Sequence, residues 1–170
     1  MKKYSLIIAL LILSFTAFSQ HNHQIDTVPA PATRFKSFPP VKLLMPDSST
    51  YFTKDVLPKK TPVLLMVFHP SCEHCQAETE NITKNIEKFK GIQIVMSTMV
   101  PLFEMKAFME KYKLASYENI IVAQDYTFFL PPYFQFNNLP FLAFYNKKKK
   151  LVSTFGGSLP VDKIVAELRK

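Results

Sequence analysis

The sequence predicts an α/β fold in which helices cover both faces of a mixed central sheet and a β-hairpin is added at the N-terminus. Residues 63–68 are apolar without alternation, which is typical of a strand buried on both faces. Strand-like and helix-like segments then alternate, before a final hairpin and a closing helix. A length of 170 residues, 48% of them hydrophobic, is enough for one domain with its own core.

The first elements after the N-terminal region form the added hairpin. Residues 41–44 and 50–52 are short strand candidates, and the Pro-Asp-Ser-Ser sequence of residues 46–49 is a strong turn signal between them. The buried strand over residues 63–68 follows, introduced by Pro62. The two cysteines of the chain come directly after this strand.

Apolar residues at helical spacing predict two central helices. The first follows the cysteines and ends at Gly91, and the second covers residues 102–112. Each is followed by an apolar segment with strand character, residues 92–97 and residues 120–123. These segments complete the alternating strand–helix part of the fold.

The C-terminal part is predicted to be a hairpin and a helix. Residues 127–138 are rich in aromatic side chains, and we predict a short helix broken by two adjacent prolines. Residues 141–145 and 151–155 are paired strands joined by a turn of four lysines. The apolar spacing in residues 161–168 predicts the closing helix, with Ser158 as its N-cap and Pro160 in its first turn.

The N-terminal residues predict export. Two lysines, an apolar run and small residues before Gln20 make residues 1–19 a secretory signal peptide, so we expect a periplasmic protein that has crossed the inner membrane. An uncleaved anchor is the alternative, but residues 6–18 fall short of the roughly 20 apolar residues that span a bilayer. Residues 20–40 contain four prolines and predict a flexible linker, which leaves residues 41–170 as the domain.

The charge of the chain is basic. Removal of residues 1–19 leaves 19 basic and 13 acidic side chains, so the mature chain carries a net charge of +6. We interpret the lysine run at residues 147–150 as a solvated hairpin tip and not as a nucleic-acid site, because no stacking aromatics are interleaved with it. A membrane partner is expected only if the N-terminal segment stays uncleaved.

The sequence Cys72-Glu73-His74-Cys75 carries the chemistry. A disulfide between these cysteines closes a very small loop and stabilises the fold weakly, so a structural role is disfavoured. Cys72 falls at the start of a helix, where backbone N–H groups and the helix dipole favour a nucleophilic thiolate. Cys75 can then resolve the mixed disulfide, and His74 can tune the Cys72 thiolate by charge or by a hydrogen bond.

The chain resembles the thioredoxin superfamily, and specifically its exported TlpA/ResA-like thiol–disulfide oxidoreductases. The resemblance covers residues 41–170 and depends on the apolar strand before the cysteine pair, the Leu139-Pro140 step, and the terminal hairpin and helix. It implies a redox-active Cys72–Cys75 disulfide, and it implies neither a metal nor another cofactor. The expected partners are oxidised or reduced client proteins and an upstream redox donor.

The resemblance also implies roles for residues outside the pair. It implies a cis peptide bond at Pro140, with Leu139, Pro140 and Phe141 as the substrate-binding segment that pairs with an extended client. Glu78 stands at the offset where related proteins carry a glutamate. That residue is expected to accept a proton as Cys75 attacks, although a surface acid in the first helical turn has the same pattern.

Some positions depart from the family pattern and leave alternatives open. Ser71 stands where the family usually has tryptophan, and the chain has no tryptophan at all. A copper- or zinc-binding module of the same fold, or one that delivers the metal, could use the two cysteines together with His69 and His74. A peroxidase is disfavoured because Pro70 stands where such sites place Thr or Ser, and a non-catalytic binding domain is the remaining alternative.

Overall fold

The structure, a computed structural model, describes residues 29–170, and the predicted signal peptide lies outside the described residues. These residues form seven strands and five α-helices. The strands are β1 (Lys42–Leu44), β2 (Tyr51–Thr53), β3 (Val63–Val67), β4 (Gln93–Thr98), β5 (Ile120–Gln124), β6 (Phe141–Tyr145) and β7 (Leu151–Gly156). The helices are α1 (Pro31–Arg34), α2 (Glu73–Lys84), α3 (Leu102–Lys111), α4 (Leu130–Phe134) and α5 (Val161–Leu168).

The seven strands form one mixed sheet in the order β2-β1-β5-β4-β3-β6-β7. Strands β3, β4 and β5 are parallel, so their carboxyl ends lie at one edge of the sheet. Strand β6 is antiparallel to β3 and begins at that same edge, with Phe141 opposite Val67. The residues that follow β3 and those that precede β6 are thereby brought together. This mixed sheet confirms the fold class that the sequence predicts.

Helices cover both faces of the sheet, as predicted. All five residues of β3 are buried, and alternate side chains enter two separate cores. Leu64 and Met66 pack with α2, α3 and α5 on one face. Val63 and Leu65 pack with α1, α4 and the N-terminal hairpin on the other. The absence of alternation in the sequence therefore reflects burial on both sides of a central strand.

The segment before β1 differs from the flexible linker that the sequence predicts. Residues 31–34 form helix α1, and Phe38 is buried against the rings of Phe52 and Tyr145. Ser37, the residue before Phe38, forms a β-bridge with Lys150. Burial of the Phe38 ring outweighs the local preference of a proline-rich sequence for an extended, solvated chain.

Two local details of the C-terminal half also differ from the sequence prediction. The adjacent prolines begin helix α4 and do not break it, because a proline in the first turn has no intrahelical N–H bond to lose. The N-cap of α5 is Pro160. Ser158 instead donates a hydrogen bond from its hydroxyl to the carbonyl of His74, at 3.2 Å.

Among residues 29–170, no helix has the length and apolar character needed to cross a membrane.

Candidate active site

Cys72 lies at the amino end of α2 and caps it. The turn after β3 is closed by the Cys72 N–H, which donates to the carbonyl of His69 at 3.0 Å. The Cys72 sulfur accepts a hydrogen bond from the Cys75 N–H at 3.2 Å, in the place of the oxygen that usually caps a helix. Negative charge on this sulfur is favoured by the unpaired N–H groups of the first turn.

The two cysteines differ in accessibility. Both are free thiols; Cys72 is partly exposed, whereas Cys75 is fully buried under the helix. Burial, together with the hydrogen bond to Cys72, raises the pKa of Cys75 to about 12. The accessible sulfur at the helix end and the buried, protonated sulfur one turn later are therefore set up for different steps.

The Leu139–Pro140 step lies against Cys72. The Cys72 thiol is directed at the Leu139 carbonyl, with sulfur and oxygen 3.7 Å apart, and the peptide bond between Leu139 and Pro140 is cis. Leu139 is partly exposed and lies two residues before the start of β6. The Leu139 carbonyl consequently lies beside the accessible sulfur.

The ring of Phe141 does not face Cys72. It is buried in the core on the opposite face of the sheet and stacks on Phe136 with ring centroids 4.8 Å apart. The side chain of Phe141 is therefore not available to a client, in contrast to the substrate-binding role expected from the sequence. The reason is the alternation of β6, which directs Leu142 and Phe144 toward the helix that carries the cysteines and Phe141 away from it.

Glu78 is fully buried one helical turn beyond Cys75, and not a surface acid. One carboxylate oxygen accepts the N–H of Leu159 at 3.0 Å, and the other has no hydrogen-bond partner in the described chain. Burial raises the pKa of Glu78, while the hydrogen bond from Leu159 opposes that shift. A buried carboxyl group with one unsatisfied oxygen is suited to hold a proton.

His74 is exposed on the outer side of the first turn. No hydrogen bond from its ring is found within residues 29–170, and tuning of the Cys72 thiolate by the charge of His74 stays a prediction. Its carbonyl accepts the Ser158 hydroxyl, which brings the loop after β7 over the start of α2. Ser158 and Leu159 thus fix the helix that carries both cysteines.

The sequence analysis missed this loop as part of the site. Its signal in the sequence is the adjacent Gly156-Gly157 pair, which allows a sharp turn directly after β7. Gly157 adopts a left-handed conformation with φ +117°, and its N–H donates to the carbonyl of Pro140 at 2.7 Å. A glycine accepts this backbone conformation without strain, so the loop can turn from β7 toward α2.

Polar contacts hold the turn before Cys72, where the resemblance leads us to expect a tryptophan and the chain has Ser71. Ser71 is exposed, and both its N–H, at 3.2 Å, and its hydroxyl, at 2.9 Å, contact Nδ1 of His69. The amide of Gln76 donates to the carbonyl of Pro70 at 2.8 Å. These contacts fix the turn in a chain that lacks the usual tryptophan.

A metal centre finds no support in this geometry. Residues 29–170 contain no group of three or more His, Cys, Asp or Glu side chains placed to hold a metal ion. Nδ1 of His69 contacts the N–H and the hydroxyl of Ser71. Within residues 29–170, the exposed ring of His74 makes no hydrogen bond with either sulfur. Both cysteines of the pair are free thiols.

Comparison with solved structures shows the fold. A secreted Mycobacterium tuberculosis disulfide oxidoreductase homologous to E. coli DsbE is 17% identical, with a TM-score of 0.62 over 75% of this chain and 93% of that one. DsbF of the same organism is 18% identical, with a TM-score of 0.64 over 83% and 96%. StoA from Bacillus subtilis is 15% identical, with a TM-score of 0.58 over 76% and 97%.

A family model identifies the chain at the level of sequence. No curated protein matches it. The model of the AhpC/TSA family matches residues 36–161, which include every strand of the sheet, the cysteine pair and the Leu139-Pro140 step. The match begins at residue 36, so it includes Phe38 but not helix α1. The chain belongs to the AhpC/TSA family, and the solved structures share the fold that the resemblance to TlpA/ResA-like proteins implies.

Proposed function

We propose that this protein is a thiol–disulfide oxidoreductase that exchanges disulfides with proteins of the cell envelope through Cys72 and Cys75. The family and the fold support thiol redox chemistry in general. The observation that carries the proposal is the position of Cys72, whose partly exposed sulfur lies at a helix start and beside the backbone of Leu139. Cys75 lies buried directly behind it.

In the reductive direction, exchange takes two steps. The Cys72 thiolate attacks one sulfur of a client disulfide, so the Cys72–client S–S bond forms, the client S–S bond breaks, and one client thiolate leaves. Cys75 then loses its proton and attacks the Cys72 sulfur. This step forms the Cys72–Cys75 disulfide and releases the second client thiolate. Oxidation of a client dithiol is the same sequence in reverse.

The second step needs a proton acceptor. The high pKa of Cys75 means that its thiol keeps the proton until it attacks, and the burial of this residue excludes bulk water as a ready base. The unsatisfied oxygen of Glu78 supports a role for this carboxylate in taking the proton. We assign His74 only a charge effect on the Cys72 thiolate.

The client is recognised through its backbone in this proposal. An extended segment of the client pairs with the backbone at Leu139, in the way that an added strand pairs with the outermost strand of a sheet. Pro140 supports this segment. Such pairing is independent of the client sequence, so several oxidised or reduced envelope proteins and an upstream redox donor can use the same surface. Export of the chain and its periplasmic location belong to the proposal too.

A peroxidase is the alternative function, and it has less support than disulfide exchange. The turn before Cys72 contains one hydroxyl side chain, Ser71, and this hydroxyl contacts Nδ1 of His69 at 2.9 Å, so it does not face the attacking sulfur as a partner for a peroxide. A peroxide assay should accordingly give a rate far below that of disulfide exchange with a protein client.

The test compares the two cysteines. Cys75→Ser should accumulate a stable mixed disulfide with an oxidised protein such as insulin, because the first step remains and the second is lost. Cys72→Ser should form none, since the buried Cys75 cannot reach a client. Equal trapping by both variants, or turnover by Cys72→Ser at the wild-type rate, contradicts the proposal. Equilibration with glutathione then assigns the direction: about −270 mV indicates a reductant and about −120 mV an oxidant.

A further inference from the structure

Exposed lysines gather at the edge of the sheet opposite the cysteine pair. They come from three segments: the chain before β1, the loop before β3, and the turn between β6 and β7. We call these six side chains the lysine pole: Lys36, Lys59, Lys60, Lys147, Lys148 and Lys150. All six are exposed, so their charges face solvent.

The buried side of the pole is fixed by hydrogen bonds. Nζ of Lys149, the one partly buried lysine of the turn, donates to the carbonyls of Pro58 at 2.7 Å and Thr61 at 2.6 Å. The N–H of Leu151 donates to the carbonyl of Lys36 at 2.6 Å. These bonds join the three segments, so the six free ammonium groups belong to one surface and not to independent loops.

The pole contains no counter-charge of its own. Residues 29–46, 56–72 and 126–161 include no Asp or Glu, and no lysine of the pole takes part in a salt bridge recorded for the described chain. Asp55 is the nearest acid along the chain, and Lys54 stands next to it. A surface of this kind attracts anionic partners over a distance comparable to the Debye length.

Apolar side chains lie beside these charges. Phe35 is 60% exposed next to Lys36, and Val56 is 58% exposed two residues before Pro58. Each is too small an apolar surface to bind a protein partner alone. Together with surrounding lysines, they match the pattern of surfaces that rest on a lipid headgroup layer, where charges meet phosphates and apolar tips enter the interface.

We propose that the lysine pole docks this protein on an anionic phospholipid surface and so directs Cys72 away from the membrane. Lysine favours this partner over a specific acidic protein or nucleic acid, because ammonium groups act as point charges, whereas shaped carboxylate or phosphate sites use the arginine fork. The apolar run of residues 6–18 also stands less than 20 positions before Lys36 in the sequence. The proposal goes beyond disulfide exchange and does not depend on whether that run is retained.

Docking at the lysine pole would place the cysteine edge at a distance from the membrane, which matters for disulfide exchange. Strands β3 and β6 both run between the pole and the cysteine edge, and five residues at about 3.4 Å each separate the two ends by about 17 Å. A membrane bound at the pole therefore leaves Leu139 and Cys72 open to proteins on the far side. Docking and exchange can be tested separately.

The experiment measures binding to vesicles of phosphatidylglycerol mixed with phosphatidylcholine, using protein purified as the producing cell processes it. The pole variant carries Lys59→Glu, Lys147→Glu and Lys148→Glu. A control variant carries Lys90→Glu, Lys106→Glu and Lys163→Glu, which are exposed lysines outside the pole. The two variants have the same net charge and the same N-terminal segment, so only the position of the charge differs.

The wild type should bind these vesicles more tightly than vesicles of phosphatidylcholine alone, and high salt should weaken the binding. The pole variant should bind at least about tenfold more weakly, since each lysine near an anionic surface adds to the attraction and each glutamate opposes it. Both variants should keep wild-type exchange with a soluble client. Equal weakening in both variants, no preference for phosphatidylglycerol, or tighter binding to an acidic polypeptide or to DNA than to the vesicles overturns the proposal.

Discussion

The two edges of the sheet place their chemistry in opposite ways. At the cysteine edge, a few buried or half-buried groups are held by contacts with single partners, as Cys72 is by the Cys75 N–H and Glu78 by the Leu159 N–H. At the lysine edge, six exposed side chains contribute charge without fixed partners. The properties of the cysteine edge therefore depend on individual positions, whereas those of the lysine edge depend on the summed charge of six side chains. Single substitutions should therefore have large effects at one edge and small effects at the other.

Glu78→Gln should give the largest effect among single changes outside the cysteines. Loss of the proton acceptor should slow resolution of the mixed disulfide by about 100-fold, and leave attack by Cys72 unchanged. Rapid-mixing kinetics with a client disulfide separates the two steps. Glu80→Gln, an exposed residue of the same helix paired with Lys84, is the control and should resolve at the wild-type rate.

The same variant makes a prediction about stability and pH. Burial raises the pKa of Glu78 in the folded state, so the folded protein holds this proton to a higher pH than the unfolded chain does. Wild-type stability should therefore fall as pH rises above about 4.3, the ordinary carboxyl value, through the raised pKa. The variant should lack this part of the decline. A constant difference in unfolding free energy between the two proteins across that range would contradict the assignment.

Lys149→Met tests an exception at the lysine edge. Nζ of Lys149 has two fixed carbonyl partners, so this lysine resembles the groups of the cysteine edge. Removing hydrogen bonds from a charged group should lower the free energy of unfolding by about 2 kcal/mol. Lys148→Met, one residue away and exposed, should change it by less than about 0.5 kcal/mol. Urea denaturation of both variants measures the contrast, which fails if they are equally stable.

Lys59→Gln should have the smallest effect of the series. One exposed charge among six should weaken vesicle binding by about fivefold or less. Its effect should add to that of Lys147→Gln, because the two act through a common field and not through a shared partner. Titration of the single and double variants with phosphatidylglycerol vesicles checks this. A complete loss of binding from either single change would show a specific site in place of a summed charge.

The sequence was sufficient for the alternation of elements and for the reactive pair. Six consecutive apolar residues before Cys72 marked the central strand, because only a strand buried on both faces has no need of polar side chains. The spacing of Cys72 and Cys75 and their place at a helix start were also local facts. In the structure, the central strand, the two cysteines and the helix start lie where the sequence predicts them.

The sequence did not show which side chains around the pair are buried. Phe141 was expected at the client-binding surface, but the register of β6 against β3 turns its ring into the opposite core. Phe38 was assigned to a flexible linker, yet it fills a space between Phe52 and Tyr145. Both outcomes depend on residues distant along the chain, which local composition does not contain.

The sequence by itself determined where the two thiols lie, since their spacing and the helix start are local properties, and this pattern favours an attacking and a resolving thiol. Only the tertiary structure decided the environment of each group. It buried Glu78 beneath the loop that carries Ser158 and Leu159, placed the Leu139 carbonyl beside Cys72, and joined three separate lysine segments at the far edge. The physical reason is that burial and electrostatic fields arise from contacts between segments far apart in the chain, whereas helix starts and strand periodicity are local.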